Sequence, residues 1–211
     1  MALATNPNPF QLTTEDEVTA ILGEPPDFVL AKIGDRVDAS AAAFIAQSPL
    51  VFVGTVDRDG RIDVSPKGDA PGFVHVASPG SLLIPERKGN NLAFGPHNIL
   101  ATGRIGLIFV VPGQRETLRV NGAASLNNDP TLLEQLSARG KPSLLCTEVT
   151  VEECFFHCGK SMIRSRAWDP DSWNVDGNSL MVAQVVDALG GDPTLVPIVN
   201  LQVEQNYVDD L

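Results

Sequence analysis

Alternating apolar and polar residues in the middle of the chain predict several short β-strands. At 61–65, Ile62 and Val64 share one face, and at 116–126 Leu118 and Val120 do the same. Asp59-Gly60 between two β-rich runs is a hairpin signal. The predicted strands cover 50–56, 61–65, 73–77, 81–84, 101–111, 116–126 and 144–156. Six or seven antiparallel strands at hairpin spacing predict a small closed β-barrel, whereas regular βαβ units are missing.

Helices are predicted on both sides of these strands. Thr13 or Thr14 can cap a helix that ends at Gly23, and an apolar stripe predicts a second helix over 35–47. Further helices are predicted over 90–100, 130–138, 178–189 and 193–211, with a loop over 169–177. The pattern therefore divides the chain into three parts. They are an N-terminal arm with covering helices (1–48), a barrel (49–168) and a helical extension (169–211).

Charge and composition narrow the possible partners. The 211 residues have a formal net charge of -11, which disfavours binding to nucleic acid or to an anionic membrane surface. Three cysteines do not suggest a disulfide framework, and no apolar run has the length of a membrane span. The N-terminus does not show the pattern of a signal peptide. We therefore expect a cytoplasmic protein.

The adjacent cations Arg87 and Lys88 are the first candidate binding residues. They follow a predicted strand and precede a predicted helix, and the N-terminus of a helix favours an anion. Arginine can grip phosphate oxygens with two donors, and lysine adds a point charge. This junction predicts a phosphate site, and a solvated pair of surface cations is the alternative.

Two more stretches offer polar side chains to a ligand. Lys67 is expected on a tight loop over 66–72, where it can supply a third cation to the same phosphate or only solvate a turn. Thr117, Arg119 and Asn121 alternate along one strand face, which is either a solvated sheet face or a ligand contact.

The segment after the last predicted strand is cationic. If it is helical, His157, Lys160, Ser161 and Arg164 share one face and suit an anionic group. Cys154, His157 and Cys158 give only a weak metal signal, because no second ligand pair stands at a recognised spacing.

Known catalytic signatures are missing from the sequence. It has no phosphate-binding loop ending in Lys-Ser or Lys-Thr, no glycine-rich dinucleotide turn, no His-Glu-x-x-His and no Gly-x-Ser-x-Gly. With three histidines and no evident pair of nucleophile and base, we expect a bound cofactor to supply the chemistry.

The same stretches resemble the pyridoxamine 5'-phosphate oxidase-like family of FMN-binding split barrels. Lys67-Gly68-Asp69-Ala70-Pro71-Gly72-Phe73-Val74 followed by Glu86-Arg87-Lys88-Gly89 is similar to the family's Lys–Asp–Gly-Phe strand and its Ser-Arg-Lys-Gly. Thr117-Leu118-Arg119-Val120-Asn121-Gly122 resembles its Gln-Val-Arg-Val-Glu-Gly strand. The resemblance covers roughly residues 50–126 and continues more loosely to Trp168.

This resemblance implies a mainly β fold with flanking helices and a homodimer with FMN at its interface. By position, Arg87 and Lys88 would bind the FMN phosphate, and Lys67 would lie along the flavin. The other candidate cofactor contacts are Val64 and Ser65 just before Lys67, Asn91 after the cation pair, and Thr117 where the family has Gln.

The C-terminal part departs from the oxidase. The oxidase's Arg-Leu-x-Pro ending is absent, so the resemblance does not imply pyridoxamine phosphate as the substrate. The Pro-x-Arg-x-Gly-Asn-Asn and His-Cys-x-Lys…Arg-Ser stretches look like an uncharacterised FMN-dependent branch. We expect Arg164 and Trp168 to replace the missing ending at the edge of the flavin pocket.

The function implied is an FMN-dependent oxidoreductase that acts on a small molecule. Two alternatives stay open. One is a flavin or haem carrier without turnover, and the other is a deazaflavin-dependent reductase.

Overall fold

The computed structural model describes residue 8, residues 10–173 and residues 180–209, and these form two compact units that divide between Ile33 and Gly34. The first unit contains helices α1 (Glu15–Leu22) and α2 (Asp27–Leu30). Thr14 caps α1 by accepting a hydrogen bond from the Glu17 amide at 3.3 Å, while the Glu17 carboxylate accepts one from the Thr14 amide at 3.0 Å. This reciprocal pair is a capping box, so the predicted start of α1 is confirmed.

The second unit is a sheet with helices around it. Its strands are β1 (Leu50–Val56), β2 (Ile62–Gly68), β3 (His75–Ser78), β4 (Ser81–Pro85), β5 (Arg104–Val110), β6 (Thr117–Asn127) and β7 (Cys146–His157). Its helices are α3 (Ala39–Gln47), α4 (Phe94–Thr102), α5 (Pro130–Gln135), α6 (Lys160–Ser165), α7 (Leu180–Ala188) and α8 (Val196–Asp209). Short 3₁₀ turns lie at Pro170–Ser172 and Pro193–Leu195.

All seven strands pair antiparallel in the order β2-β1-β5-β6-β7-β4-β3. The mainly β class with flanking helices is therefore confirmed. The expected closure of the barrel is not found among the described residues, because β2 and β3 end the sheet without pairing to each other. None of the described helices is long and apolar enough to cross a bilayer.

The core lies on one face of the sheet and under α3. Alternate residues of the central strands are buried, such as Val51 in β1, Phe109 in β5 and Leu118 in β6. Ala41 and Ile45 of α3 join the same cluster, as the apolar stripe over 35–47 predicts. The helix and the inner sheet face therefore bury one common apolar surface.

A close approach between β6 and β7 requires glycine at one position. The strand register shifts between Asn121 and Gly122, where a β-bulge interrupts the ladder. A Cβ atom on Gly122 would lie 2.0 Å from the carbonyl oxygen of Thr150. Since no side chain fits at that distance, the bulge depends on this glycine.

Several predicted boundaries are wrong. β2 continues to Gly68, so Lys67 lies in a strand opposite Val51 and not on a tight loop. Pro66 is tolerated because β2 is an edge strand. The predicted strand 101–111 begins only at Arg104, because α4 continues through Thr102.

The C-terminal helices agree with the prediction in part. α7 and α8 lie within the predicted ranges 178–189 and 193–211, although residues 193–195 form a 3₁₀ turn. Within the predicted loop 169–177, residues 170–172 form another 3₁₀ turn. The predictions for residues 1–7, 9, 174–179 and 210–211 lie outside the described residues.

Candidate functional site

Arg87 and Lys88 lie in an irregular segment, residues 86–93, directly after β4. The start of this segment is fixed to the chain before β7, since the Glu86 amide donates to the Leu145 carbonyl at 2.9 Å. Helix α4 begins only at Phe94, and its first turn has no side-chain cap. The expected helix N-terminus at the cation pair is therefore wrong, and side chains alone would have to hold a phosphate there.

The structure brings Lys67, Arg87 and Lys88 around one cavity of about 250 Å³. Glu86 also lines it, and parts of β2, β4 and the Phe73 region complete the wall. Lys67 comes from the edge strand, whereas the other two cations come from the segment after β4. The two sequence stretches singled out for a phosphate thus meet in space.

Two carboxylates orient two of these cations, Lys67 and Arg87. Lys67 Nζ lies 2.6 Å from a Glu86 carboxylate oxygen, and both side chains are largely buried. Arg87 Nε donates to Asp69 Oδ2 at 2.9 Å, and the Asp69 side chain is only 2% exposed. The other Asp69 oxygen accepts from the Ala70 amide at 2.8 Å. Each acid therefore orients one cation that lines the cavity.

One hydrogen-bond donor of Arg87 has no acceptor among the described residues. Its Nη1 atom is buried and has no hydrogen-bond partner in the described part of the chain. A buried N–H of a charged group without an acceptor costs about 1–3 kcal/mol or more. Arg87 also lines the cavity of Lys67 and Lys88, so the donor set here fits a phosphate.

Asp69 stays ionised under ordinary conditions. Burial raises the pKa of this carboxyl, but the Ala70 N–H and the guanidinium groups of Arg87 and Arg139 together hold its pKa below the usual range. Arg139 Nη1 lies 3.4 Å from Asp69 Oδ1. The ionised carboxylate can therefore orient Arg87 at neutral pH.

The other candidate flavin contacts do not line this cavity. Val64 and Ser65 lie in β2 ahead of Lys67, with Val64 63% exposed. Asn91 is exposed in the segment after β4 and has a positive φ of 59°. Thr117 is buried at the start of β6, opposite His157. A single chain therefore assembles the phosphate cations but not all of the expected contacts.

The expected cationic stripe is not one helix. His157 ends β7, and Gly159 separates it from α6, which contains Lys160, Ser161 and Arg164. Trp168 lines a second cavity, and the described lining of that cavity does not include Arg164. The expected place of Arg164 and Trp168 at the edge of a flavin pocket stays a prediction.

Three residues in or around the cavity of Lys67, Arg87 and Lys88, joined to it by ion pairs, were missed as functional candidates. Asp69 and Glu86 stand inside the quoted motifs, each within two residues of a candidate cation in the sequence. An acid so close to a candidate cation was the available signal. Arg139 gave no local signal, because its contact with Asp69 joins residues far apart in the sequence.

Comparison with solved structures finds similar chains at low sequence identity. HupZ of Group A Streptococcus is 18% identical with a TM-score of 0.47, covering 57% of this chain and 93% of that one. A putative pyridoxamine 5'-phosphate oxidase from Lactobacillus delbrueckii is 22% identical with a TM-score of 0.46, covering 58% and 95%. An FMN-binding protein from Syntrophomonas wolfei is 12% identical with a TM-score of 0.43, covering 67% and 92%.

Sequence comparison identifies the family of this chain. No curated protein shows a significant match to this chain. The sequence model of the family described as pyridoxamine 5'-phosphate oxidase matches residues 37–158, which is more than half of the chain and includes all of β1 to β7. The chain belongs to the pyridoxamine 5'-phosphate oxidase family.

Proposed function

We propose that this protein binds FMN by its phosphate at the cavity of Lys67, Arg87 and Lys88, and that it is an FMN-dependent oxidoreductase for a small molecule. The observation behind the proposal is the cavity that Arg87 lines with two further cations, together with the buried Arg87 Nη1, which lacks a partner in the described structure. Bound FMN would supply hydride or electron transfer, for which the side chains offer no evident substitute.

The charges around the cavity support a phosphate ligand. Lys67, Arg87 and Lys88 line it, and the carboxylates of Glu86 and Asp69 pair with Lys67 and Arg87. The whole chain has a net charge of -11, so three cationic side chains around one cavity are a local concentration. A phosphate monoester would accept charge-assisted hydrogen bonds from these side chains.

The edge strand that carries Lys67 supports a place for the flavin ring. Ile62 and Val64 lie on the face of β2 opposite to Lys67, with 76% and 63% of their surface exposed. We propose that the ring lies along this edge strand, in contact with Val64 and Ser65 and within reach of Asn91. Exposed apolar patches commonly mark binding surfaces, so we propose that another molecule covers these side chains.

A second copy of the chain is the cover that we propose. Thr117 and Arg164 do not line the phosphate cavity, so their proposed contacts with the flavin would be made across the dimer interface, whereas Trp168 lines a separate cavity. The free thiols of Cys146, Cys154 and Cys158 suit a reducing compartment, and we propose the cytoplasm.

Replacing Arg87 tests the phosphate assignment. Arg87→Ala should weaken FMN binding by about 1.5–3 kcal/mol, roughly 10- to 150-fold, because it removes a charged donor to the phosphate. Riboflavin lacks the phosphate, so its affinity should change little. Titration of flavin-depleted protein, followed by quenching of flavin fluorescence, measures both affinities.

Arg36→Ala is the matched control, since Arg36 is an exposed cation paired with Asp35 and does not line the cavity. It should leave both affinities at the parent values. An equal loss of FMN and riboflavin affinity in Arg87→Ala would refute the assignment of the phosphate to this cavity.

A further inference from the structure

A second cavity, of about 360 Å³, lies between the turn that follows β5 and the segment from α6 to Trp168. Its lining does not include Lys67, Arg87 or Lys88. A volume of this size is within the usual range for sites that bind small molecules. It is a candidate site apart from the phosphate cavity.

The two walls of this cavity are fixed to each other. Trp168 Nε1 donates a hydrogen bond to the Gln114 carbonyl at 2.6 Å. Gly159, just before α6, packs so closely on Arg115 that a Cβ atom there would lie 2.6 Å from the Arg115 Cβ. Because both ends of the helical segment contact the same turn, the cavity is formed before any ligand binds.

The floor of the cavity is apolar. Met162, Ile163 and Trp168 line it, and Ile163 is 56% exposed although it is a large aliphatic residue. An aromatic ring would cover this exposed surface and could stack on the indole of Trp168, which is already oriented by its hydrogen bond.

The rim of the cavity has one unneutralised positive charge. Arg166 donates through Nε and Nη2 to the same Asp169 oxygen, at 2.9 and 2.5 Å, so these two charges balance. Arg115 is exposed and makes no hydrogen bond or ion pair with the described residues. Its guanidinium is therefore available to a ligand with a single negative charge.

The backbone at Arg166 is also unusual. This residue ends α6 with a φ of 53°, a conformation that favours glycine. Its carbonyl accepts from Ser172 Oγ at 2.9 Å while its side chain is held by Asp169. The left-handed residue closes the C-terminus of α6, since the Ala167 amide donates to the Met162 carbonyl at 3.2 Å, and this turn places the Arg166–Asp169 pair at the rim.

We propose that this cavity binds a small aromatic monocarboxylate, with the ring against Ile163 and Trp168 and the carboxylate on Arg115. A guanidinium and a carboxylate form two parallel hydrogen bonds, which gives a geometric reason for a carboxylate. The single positive charge of Arg115 would balance the single negative charge of a monocarboxylate. This proposal does not rest on the binding of FMN.

Two naphthalene probes test the proposal. 2-Naphthoate and its neutral analogue 2-naphthylmethanol share the ring system but differ in charge. Isothermal titration into the full-length protein, as purified, should show 2-naphthoate binding about tenfold tighter or more, the value of one charge-assisted hydrogen bond. Equal affinity for the two probes, or no binding of 2-naphthoate, would overturn the proposal.

Two variants separate the roles of charge and apolar surface. Arg115→Gln should weaken 2-naphthoate about tenfold and leave 2-naphthylmethanol unchanged. Ile163→Ser should weaken both probes by similar factors. Arg36→Gln removes an exposed cation that does not line the cavity, and it should leave both affinities unchanged. A loss of 2-naphthoate binding in Arg36→Gln equal to that in Arg115→Gln would overturn the assigned site.

The two cavities can be tested independently of each other. Arg87→Ala should keep its affinity for 2-naphthoate, because Arg87 lines only the phosphate cavity of the two. Unchanged 2-naphthoate binding in that variant supports a separate site, whether or not FMN is lost. Loss of 2-naphthoate binding with Arg87 would show that the probe occupies the phosphate cavity instead.

Discussion

Asp69 is the residue whose replacement tests the organisation of the phosphate cavity most severely. Its buried carboxylate accepts from the Ala70 amide and from Arg87 Nε, and it lies beside Arg139. Asp69→Asn keeps the size of the side chain and an oxygen for the Ala70 amide. It removes the negative charge that holds Arg87, so the effect reports on that contact.

The cost of Asp69→Asn can be worked out from these contacts. The bond to Arg87 is charge-assisted and largely buried, which is worth about 1.5–3 kcal/mol. The contact with Arg139 is longer, at 3.4 Å, and that side chain is half exposed, so it adds about 0–1 kcal/mol. The free energy of unfolding should therefore fall by about 1.5–4 kcal/mol. FMN affinity should fall roughly tenfold, because Arg87 loses its fixed direction.

Urea unfolding of the flavin-depleted protein, followed by circular dichroism at one fixed protein concentration, measures the loss of stability. Asp59→Asn is the matched control, since Asp59 pairs with Arg61 at the exposed β1–β2 turn. That change should cost less than about 1 kcal/mol. A loss in Asp69→Asn no larger than in Asp59→Asn would refute the assigned role of the buried carboxylate.

The pH dependence gives a second check on Asp69. Its folded-state pKa is below the usual value, so its contribution to stability is fully present above the unfolded pKa of about 3.9 and is lost as the pH falls through the folded pKa. The stability difference between the parent and Asp69→Asn should be constant from about pH 7 to pH 5 and should shrink below about pH 4. A constant difference down to pH 2 would contradict the ionised state assigned to Asp69.

Three further predictions concern assembly, thiols and the bulge. Light scattering should show a dimer, and a variant that is monomeric should lose flavin; a monomer that retains flavin would contradict the proposed interface. Burial raises the pKa of Cys146 and of Cys154 to about 11, so an aromatic disulfide reagent at pH 8 should modify only the exposed Cys158 quickly, with all three thiols reacting after denaturation. Rapid modification of more than one thiol in the native protein would refute this. Gly122→Ala should destabilise the fold by about 1–3 kcal/mol or more in urea unfolding, because its Cβ meets the Thr150 carbonyl; an unchanged midpoint would show that the bulge can relax.

The sequence was sufficient to predict the class of fold, because alternation is a local property. Ile62 and Val64 share a face in the pattern and in β2, and the stripe with Ala41 and Ile45 packs into the core as expected. The boundaries of the elements depend on longer-range effects. Lys67 belongs to β2 because this strand pairs with β1 as far as Gly68. The proline and glycines after Ser65 predicted a turn there instead.

The candidate site could be predicted in part. Arg87 and Lys88 are recognisable as neighbouring cations, and the quoted motifs also suggested Lys67. The partners of these cations could not be predicted, since Lys67 with Glu86 and Arg139 with Asp69 meet through the tertiary fold. The expected helical stripe from His157 to Arg164 is wrong, because His157 is still part of β7 and pairs with β6. Only the residues from Lys160 onward are helical.

The most direct measurement is the identity of the ligand that leaves the purified protein on denaturation. Heat or acid should release a yellow compound with the mass of FMN, at about one molecule per chain, and the native protein should show flavin absorbance bands. Arg87→Ala purified in the same way should contain much less of it, while Arg36→Ala should contain as much as the parent. Release of haem, of a deazaflavin or of no cofactor, with apoprotein that fails to bind added FMN, would contradict the proposed function.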